Sequence, residues 1–516
     1  VSARSSLALF PDGRLDGTAD ATLVLANVDA ARLGGGRAKL DQGSLAINGR
    51  YAVDGEGSVS FAGGGEAKLH QASGTLADGT ALSLAAATLG LPEVGLSVPG
   101  DGALNLTVHP ALDVEKLALA GPAEGSAERL TVDLARLAVV RGADTTISVR
   151  VAASDGEATG AATAGGGRIV LAAPALRTPL TFTADTLGVE LGTLAVQAAA
   201  DGKLALTGDA TLRTTNAAVV PAAPPGQAAP SVRFASLAAP LGPLTLHSAG
   251  DRLQLTGPVK ATAERVDVAL APPTGEPQRL AAETFSLSMP SLSVETGASG
   301  VGFAGVGSVD LARPVLTLPA TAGQPAASLA AATVRLTLAE TKAAQDGADL
   351  RVDGGVGGEL NGVTASWGGT PAPAPPPPAR RGQRTVAPPA TEGGRLALDS
   401  LRLAAAPVSV RTSGNRRTFT GNVSTDLAGL KATVPAEPQQ APWDIALQRL
   451  RIALSGIDGE ELPALTTARV KLDVTAGGLV AQQPAPPLPR APANNRTRLA
   501  LQDMRLAPAT VGVRIL

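Results

Sequence analysis

Three histidines, His70, His109 and His247, are the only imidazoles in a chain of 516 residues that carries no cysteine. A transition-metal site draws on His and Cys at short fixed spacings, and neither His-x-His nor His-Glu-x-x-His is present. The missing cysteine excludes disulfides, zinc ribbons and thiol chemistry together. Asp458, Glu460 and Glu461 form the densest acidic group. Calcium needs ligands spaced around a central glycine, which this group lacks, so it reads as a solvated loop. Gly300-Val301-Gly302-Phe303-Ala304-Gly305 spells the dinucleotide fingerprint, but that motif works only between a strand and a helix N-terminus. Here Val306-Gly307-Ser308-Val309-Asp310-Leu311 alternates onward, so the segment reads as a glycine-rich strand. No Gly-x-Ser-x-Gly elbow or other nucleophile arrangement stands out. These residues predict no catalytic centre, no metal and no cofactor; the chain reads as non-enzymatic.

The elements around them say more. Leu244-Thr245-Leu246-His247-Ser248, then Gly250, then Leu253-Gln254-Leu255-Thr256-Gly257 alternate apolar and polar residues and break at glycine. That period of two marks half-buried antiparallel strands and points His247 to solvent. Leu237–Val259 overlies Leu401–Val423 without a gap: Pro243 falls on Pro407, Gly250 on Gly414 and Gly257 on Gly421. Leu244 matches Val408, Leu246 matches Val410, Leu255 matches Phe419 and Val259 matches Val423. A weaker copy runs through Leu204, Leu206 and Gly208. Each unit reads as strand, glycine turn, strand, glycine turn, strand, with irregular spacing, which suits a meander of hairpins better than a fixed-period solenoid. Asp-Gly pairs at 12–13, 54–55, 78–79, 101–102, 155–156 and 201–202 are strong hairpin signals. Helical patterning is poor; Ala-rich stretches such as Ala326–Thr333 allow at most a turn or two.

Proline-rich segments at 221–230, 272–277, 371–389, 435–442 and 484–492 interrupt this pattern. Proline cannot serve a central ladder, so these are loops outside the sheet. The strand grammar is the same on both sides, so residues 1–516 read as one continuous β domain and not as several joined by linkers. Arg380, Arg381 and Arg384 read as a solubilising flank of the longest proline run. No apolar run approaches the roughly 20 residues that cross a bilayer. The chain starts at Val1 and stops within an apparent strand at Leu516, as a fragment of a longer protein would.

Ala, Leu and Val dominate the apolar residues, while Phe is present 7 times, Trp twice and Tyr once. A closed core of this size normally buries more rings, because each covers a large area at low entropy cost. The net charge of −2 carries no nucleic-acid footprint. Strict alternation leaves a continuous strip of Leu, Val and Ala. A curled, U-shaped antiparallel meander would line a trough with that strip, and an acyl chain there would gain roughly 0.8 kcal/mol per methylene. About thirty strands spaced roughly 4.8 Å apart would extend on the order of 150 Å.

The Leu-x-Leu-x-x-x-Gly-x-x-Leu-x-Leu-x-Gly texture of Leu244–Gly257, the proline-rich interruptions and the scarcity of rings resemble the AsmA-like family of bacterial envelope proteins, relatives of TamB. The resemblance implies a long β-groove in the periplasm, tethered to the inner membrane by a segment outside this chain. It also implies non-enzymatic conduction of phospholipid acyl chains between inner and outer membranes. On the alternation, Leu204, Leu206, Leu244, Leu246, Leu253, Leu255, Val259, Val408, Val410, Phe419 and Val423 line the groove. The alternatives are a secreted adhesin with an autotransporter-like β-helix, disfavoured by scarce Asn and frequent Asp-Gly turns, and a glycan-active β enzyme, disfavoured by scarce rings.

Overall fold

A computed structural model describes residues 2–33, 36–75, 79–99, 103–121, 124–134, 137–141, 147–151, 160–171, 180–198, 203–221, 229–250, 252–270, 276–297, 300–320, 325–368, 393–435, 442–462, 465–483 and 497–515. Every element among them is a strand, and the chain is all-β. Among the described residues no helix is long and apolar enough to cross a membrane. Residues 371–389 and 484–492, with the Arg380–Arg384 group, lie outside the described residues, as do most of 221–230, 272–277 and 435–442.

The chain divides into two units. The first holds β1 (Ser2–Leu9), β2 (Leu15–Leu33), β3 (Gly36–Val53), β4 (Val59–Thr75), β5 (Ala81–Val98), β6 (Leu104–Ala120), β7 (Glu124–Leu134), β8 (Leu137–Arg141), β9 (Ile147–Val151), β10 (Gly160–Leu171), β11 (Leu180–Ala198), β12 (Leu204–Pro221) and β13 (Ser231–Ala249). β14 (Arg252–Leu270) and β15 (Gln278–Gly297) are shared between the units. The second unit continues with β16 (Gly300–Ala312), β17 (Val315–Leu318), β18 (Ala327–Ala330), β19 (Thr333–Asp346), β20 (Asp349–Trp367), β21 (Gly394–Ser413), β22 (Arg416–Val434), β23 (Trp443–Leu462), β24 (Leu465–Gln483) and β25 (Thr497–Ile515).

Within each unit the ladder is an antiparallel meander. In the first, β1 through β6 pair in order. β7 and β8 then share β6, and β10 and β9 share β11, so each couple acts as one interrupted rung. β12 and β13 complete the series. In the second, β16 with β17 and β18 with β19 are likewise interrupted rungs, followed by β20 through β25 in order.

Among the described residues the strands number 25, many of them 17 to 20 residues long and so longer than the sequence reading gave. Gly250 and Gly414 are hairpin turns, with left-handed φ of 64° and 56°. Gly257 and Gly421, read as turns, lie inside β14 and β22. Pro243 and Pro407 sit inside β13 and β21, each after a cis peptide bond. Ala327–Ala330 is a strand, not a helical turn. Where the Asp-Gly turns are described, the aspartate builds the bend. Asp54 Oδ1 accepts from the backbone N–H groups of Glu56 at 2.9 Å and Ser58 at 2.8 Å. The Ser58 bond, first among the causes, holds the Asp54 carboxyl below its ordinary range.

Two lines cross the long strands, and the ladder skips a residue or shifts register at each. On the first, most alternate rungs of the ladder contribute a left-handed residue. These are Asn27, Gln71, Lys116 and Asn216 in the first unit, and Arg265, Arg313, Gly362, Gly429 and Gly478 in the second. The pairs on either side leave Asn27 opposite Asp41, and Gly429 opposite Gln448. Most successive members are about 44 to 50 residues apart, which is two rungs. The chain therefore repeats at a period that its residue types conceal. The second line collects bulges and in-strand prolines, including Pro92 and Pro110 in the first unit and Pro407 in the second. A proline at a bulge costs no ladder hydrogen bond there.

Candidate apolar binding face

In an antiparallel ladder directly opposite residues share a face, so side-chain rows follow from register. In the first unit Leu187–Thr214–Leu237, Val189–Leu212–Ala239 and Leu191–Ala210–Leu241 are such rows, and beyond the second line comes Val196–Leu206–Leu246. In the second unit Val334–Leu360–Leu401–Leu427–Leu450–Ala476–Met504 crosses seven strands. Beside it runs Leu336–Gly358–Leu403–Thr425–Ile452–Val474–Leu506. Each unit thus presents one nearly continuous aliphatic face.

Nothing among the described residues covers these faces. Only ten of the described apolar side chains are fully buried: Ala87, Val114, Ala127, Ala184, Ala217, Ala239, Ala263, Ala282, Val363 and Leu398. Leu403 in the middle of its row stays 43% exposed, Leu336 49% and Val356 54%. A clamped sandwich would bury such positions almost completely.

All of the ten except Ala239 lie within two residues of the first line, on the apolar side. The left-handed side chains on that line, from Asn27 to Arg313, are exposed. When a sheet folds along a line, side chains converge inside the fold and splay outside it. The sheet therefore bends toward its apolar face, which is concave there. Small side chains dominate this inner corner: six of the nine are alanine, beside Val114, Val363 and Leu398. Thr214 shares this corner at 2% exposure; its buried Oγ1 has no hydrogen-bond partner among the described residues.

The predicted groove residues fall on these faces. Leu206 faces Leu246, Leu204 and Leu244 lie on the same side, Val410 faces Phe419, and Val408 faces Gly421. Val423 faces Ala405 across the second line from them. A Cβ on Gly257 would stand 2.9 Å from a Leu244 methyl, which puts Leu255 and Leu253, two and four residues earlier, on the Leu244 side. Val259 follows on the same strand and is half-buried. Seven of these positions belong to the first unit; Val408, Val410, Phe419 and Val423 belong to the second.

The opposite face is polar. In the second unit Asp310–Arg335–Glu359–Arg402–Asp426–Arg451 stand directly opposite in succession, alternating in sign on six adjacent strands. Arg335 contacts Asp310 at 2.5 Å, Arg402 contacts Glu359 at 3.1 Å, and Arg451 lies 3.7 Å from Asp426. The Arg402 hydrogen bond, before smaller contributions from Asn361 and Arg335, holds the Glu359 carboxyl below its ordinary range. In the first unit Arg129 bridges both oxygens of Asp113 and lowers its carboxyl in the same way. Recesses of about 750 Å³, lined by Thr186, Thr215, Ser236 and Arg213 with Leu187 and Thr214, and of about 620 Å³, lined by Arg395, Lys431 and Asp444 with Leu396 and Ile445, lie in the first and second unit.

Chemistry-bearing residues do not converge. His247 is exposed opposite Ala205, as the alternation implies, and His70 is exposed in β4. His109 Nε2 stands 3.2 Å from Asp133 Oδ1. Asp458, Glu460 and Glu461 lie in β23, not in a loop, and Arg416 and Arg417 pair with Glu460 and Glu461. The acidic run is one wall of a cross-strand charge pairing, which a reading along the chain misses. Among the described residues no group of three His, Asp or Glu could hold a metal. Gly300–Gly305 belongs to β16 and is followed by more strand, so no helix N-terminus meets it. No family model, no curated protein and no solved structure matches the chain.

Proposed function

We propose that the apolar face binds phospholipid acyl chains and lets them pass along it, without catalysis, between the two membranes of a bacterial envelope. The observation that carries this reading is the open aliphatic face, concave along its first line and uncovered in rows such as Leu336–Leu403–Leu506. Aliphatic walls hold hydrocarbon by area alone, roughly 0.8 kcal/mol per methylene, with no ring pocket to fix one position. About fourteen methylenes supply on the order of 11 kcal/mol before ordering costs, enough for binding that still permits sliding. The AsmA-like texture supports the same assignment and the periplasm as its place. An autotransporter-like β-helix is set aside, since every described pairing is antiparallel.

The test is native mass spectrometry of the purified chain beside Leu246→Glu and Val410→Glu. The reading expects co-purifying phospholipid in the parent protein and a loss of several-fold or more in both variants. Equal loading in all three would overturn it.

A further inference from the structure

The chain has two tryptophans, and both stand at one rim of the second unit. Trp367 is the last residue of β20 and Trp443 the first of β23. The pairs Trp367 with Gly394, Arg395 with Thr433 and Val434 with Trp443 set the two rings at the same level of the ladder. Two residues inward of them, Ala365 and Ile445 belong to the row Ala365–Leu396–Ala432–Ile445. By alternation the rings close the outer end of that apolar row. A Cβ on Gly394 would meet the Trp367 ring, which therefore lies along the rim.

One residue inward, and so on the other face, Ser328–Ser366–Arg395–Thr433–Asp444–Gln482 stand directly opposite in succession. Lys431, two residues from Thr433 on β22, shares this face and lies diagonal to Arg395. These side chains line the recess of about 620 Å³. Elsewhere in the unit Arg335, Arg402, Arg416, Arg417 and Arg449 each contact a carboxylate. Arg395 and Lys431 are exposed and form no ion pair among the described residues. Asp444, the one carboxylate in the recess lining, accepts from Thr433 Oγ1 at 3.0 Å.

Two unpaired cations among hydroxyl donors suit a phosphate. The rings beside them choose its source: tryptophan, apolar in body with one polar N–H, settles at the boundary between headgroups and hydrocarbon. A free phosphate would use the recess and leave the rings without a part. We propose that this rim docks on an anionic phospholipid surface. Arg395 and Lys431 hold headgroup phosphates in the recess, and Trp367 and Trp443 enter the boundary layer. The proposal is independent of what occupies the apolar face of either unit.

With no other tryptophan in the chain, its emission reports this rim alone. Phosphatidylglycerol vesicles are the probe, beside phosphatidylcholine vesicles and inorganic phosphate, each with the whole chain. The rim reading expects co-sedimentation with the anionic vesicles, a blue shift of tryptophan emission and weakening by salt, with little response to phosphatidylcholine. Arg395→Gln and Lys431→Gln should each weaken vesicle binding about fivefold and keep the parent melting curve. Leu246→Glu should dock like the parent, so a failure here is distinct from a failure of acyl-chain binding. Docking without an emission change, indifference to both charge variants, or a response to inorganic phosphate without vesicle binding would overturn it.

Discussion

Gly429 and Asp399 face each other across the first line of the second unit, and the Asp399 carboxylate occupies the volume that a Cβ on Gly429 would need. The pair shows how the crease is built. One strand turns left-handed, at φ 69° here, and its neighbour lays a polar side chain over the gap. Gly478 and Gln448 repeat the arrangement, whereas Asn216 carries the side chain itself and donates from Nδ2 to Asp185 at 2.7 Å. We expect Gly429→Ala to destabilise the second unit by about 1–2 kcal/mol from left-handed strain alone, with more from the carboxylate clash. Asp399→Ala in the same chain should recover the clash and leave the strain, as read by denaturant midpoints.

Thr214 has its hydroxyl buried and unpartnered in a row of leucines. Thr214→Val keeps the shape and removes the orphan group, so it should stabilise the first unit by about 1 kcal/mol. Ala217→Leu, at the same corner, should cost about 1–3 kcal/mol by overpacking. Chemical denaturation of both variants checks the pair; a stabilising Ala217→Leu would mean the corner is not closed.

The alternating row fixes register, because sliding one strand by a residue would set Arg402 among leucines. Glu359→Arg puts three cations in line with Arg335 and Arg402 and should lower the melting temperature by a few degrees. Adding Arg402→Glu restores opposite charges between β20 and β21 but sets the new carboxylate against Asp426, so the double variant should recover only in part. Parent-like melting of the single variant would remove the row from the account.

Glu359, Asp353 and Asp113 are all held below their ordinary values, Glu359 first by Arg402, Asp353 first by the Ser409 hydroxyl and Asp113 first by Arg129. A carboxyl depressed in the folded state stabilises above its unfolded value and loses that contribution as pH falls through the folded value. The melting temperature should therefore stay level through neutral pH and decline below about 4.5 for Glu359 and 3.8 for the aspartates. The groups are exposed, so the decline should be shallow and weakened by salt. A melting temperature that rises on acidification would contradict the assignment.

The alternation in Leu244–Ser248 and Leu253–Thr256 was enough to read the face, the hairpin at Gly250 and the outward His247. Strand length was not legible, because Gly257, Pro243 and their counterparts look like breaks along the chain. In the ladder Pro243 and Pro407 fall at bulges, where the skipped residue makes no pair, and Gly421 pairs on both sides within its strand. The first crease left no sequence mark, as Asn27, Gln71, Lys116, Arg265 and Gly362 share a backbone conformation and no chemistry. The charge row was equally hidden: Glu359, Arg402 and Asp426 are neighbours only once register is set.

Phospholipid content of the purified chain tests the central assignment most directly. Native mass spectrometry should find diacyl lipid on the parent protein, retained in His247→Ala and stripped in Leu246→Glu. A lipid-free parent, or the same loading in Leu246→Glu, would contradict a hydrocarbon-binding role for the apolar face.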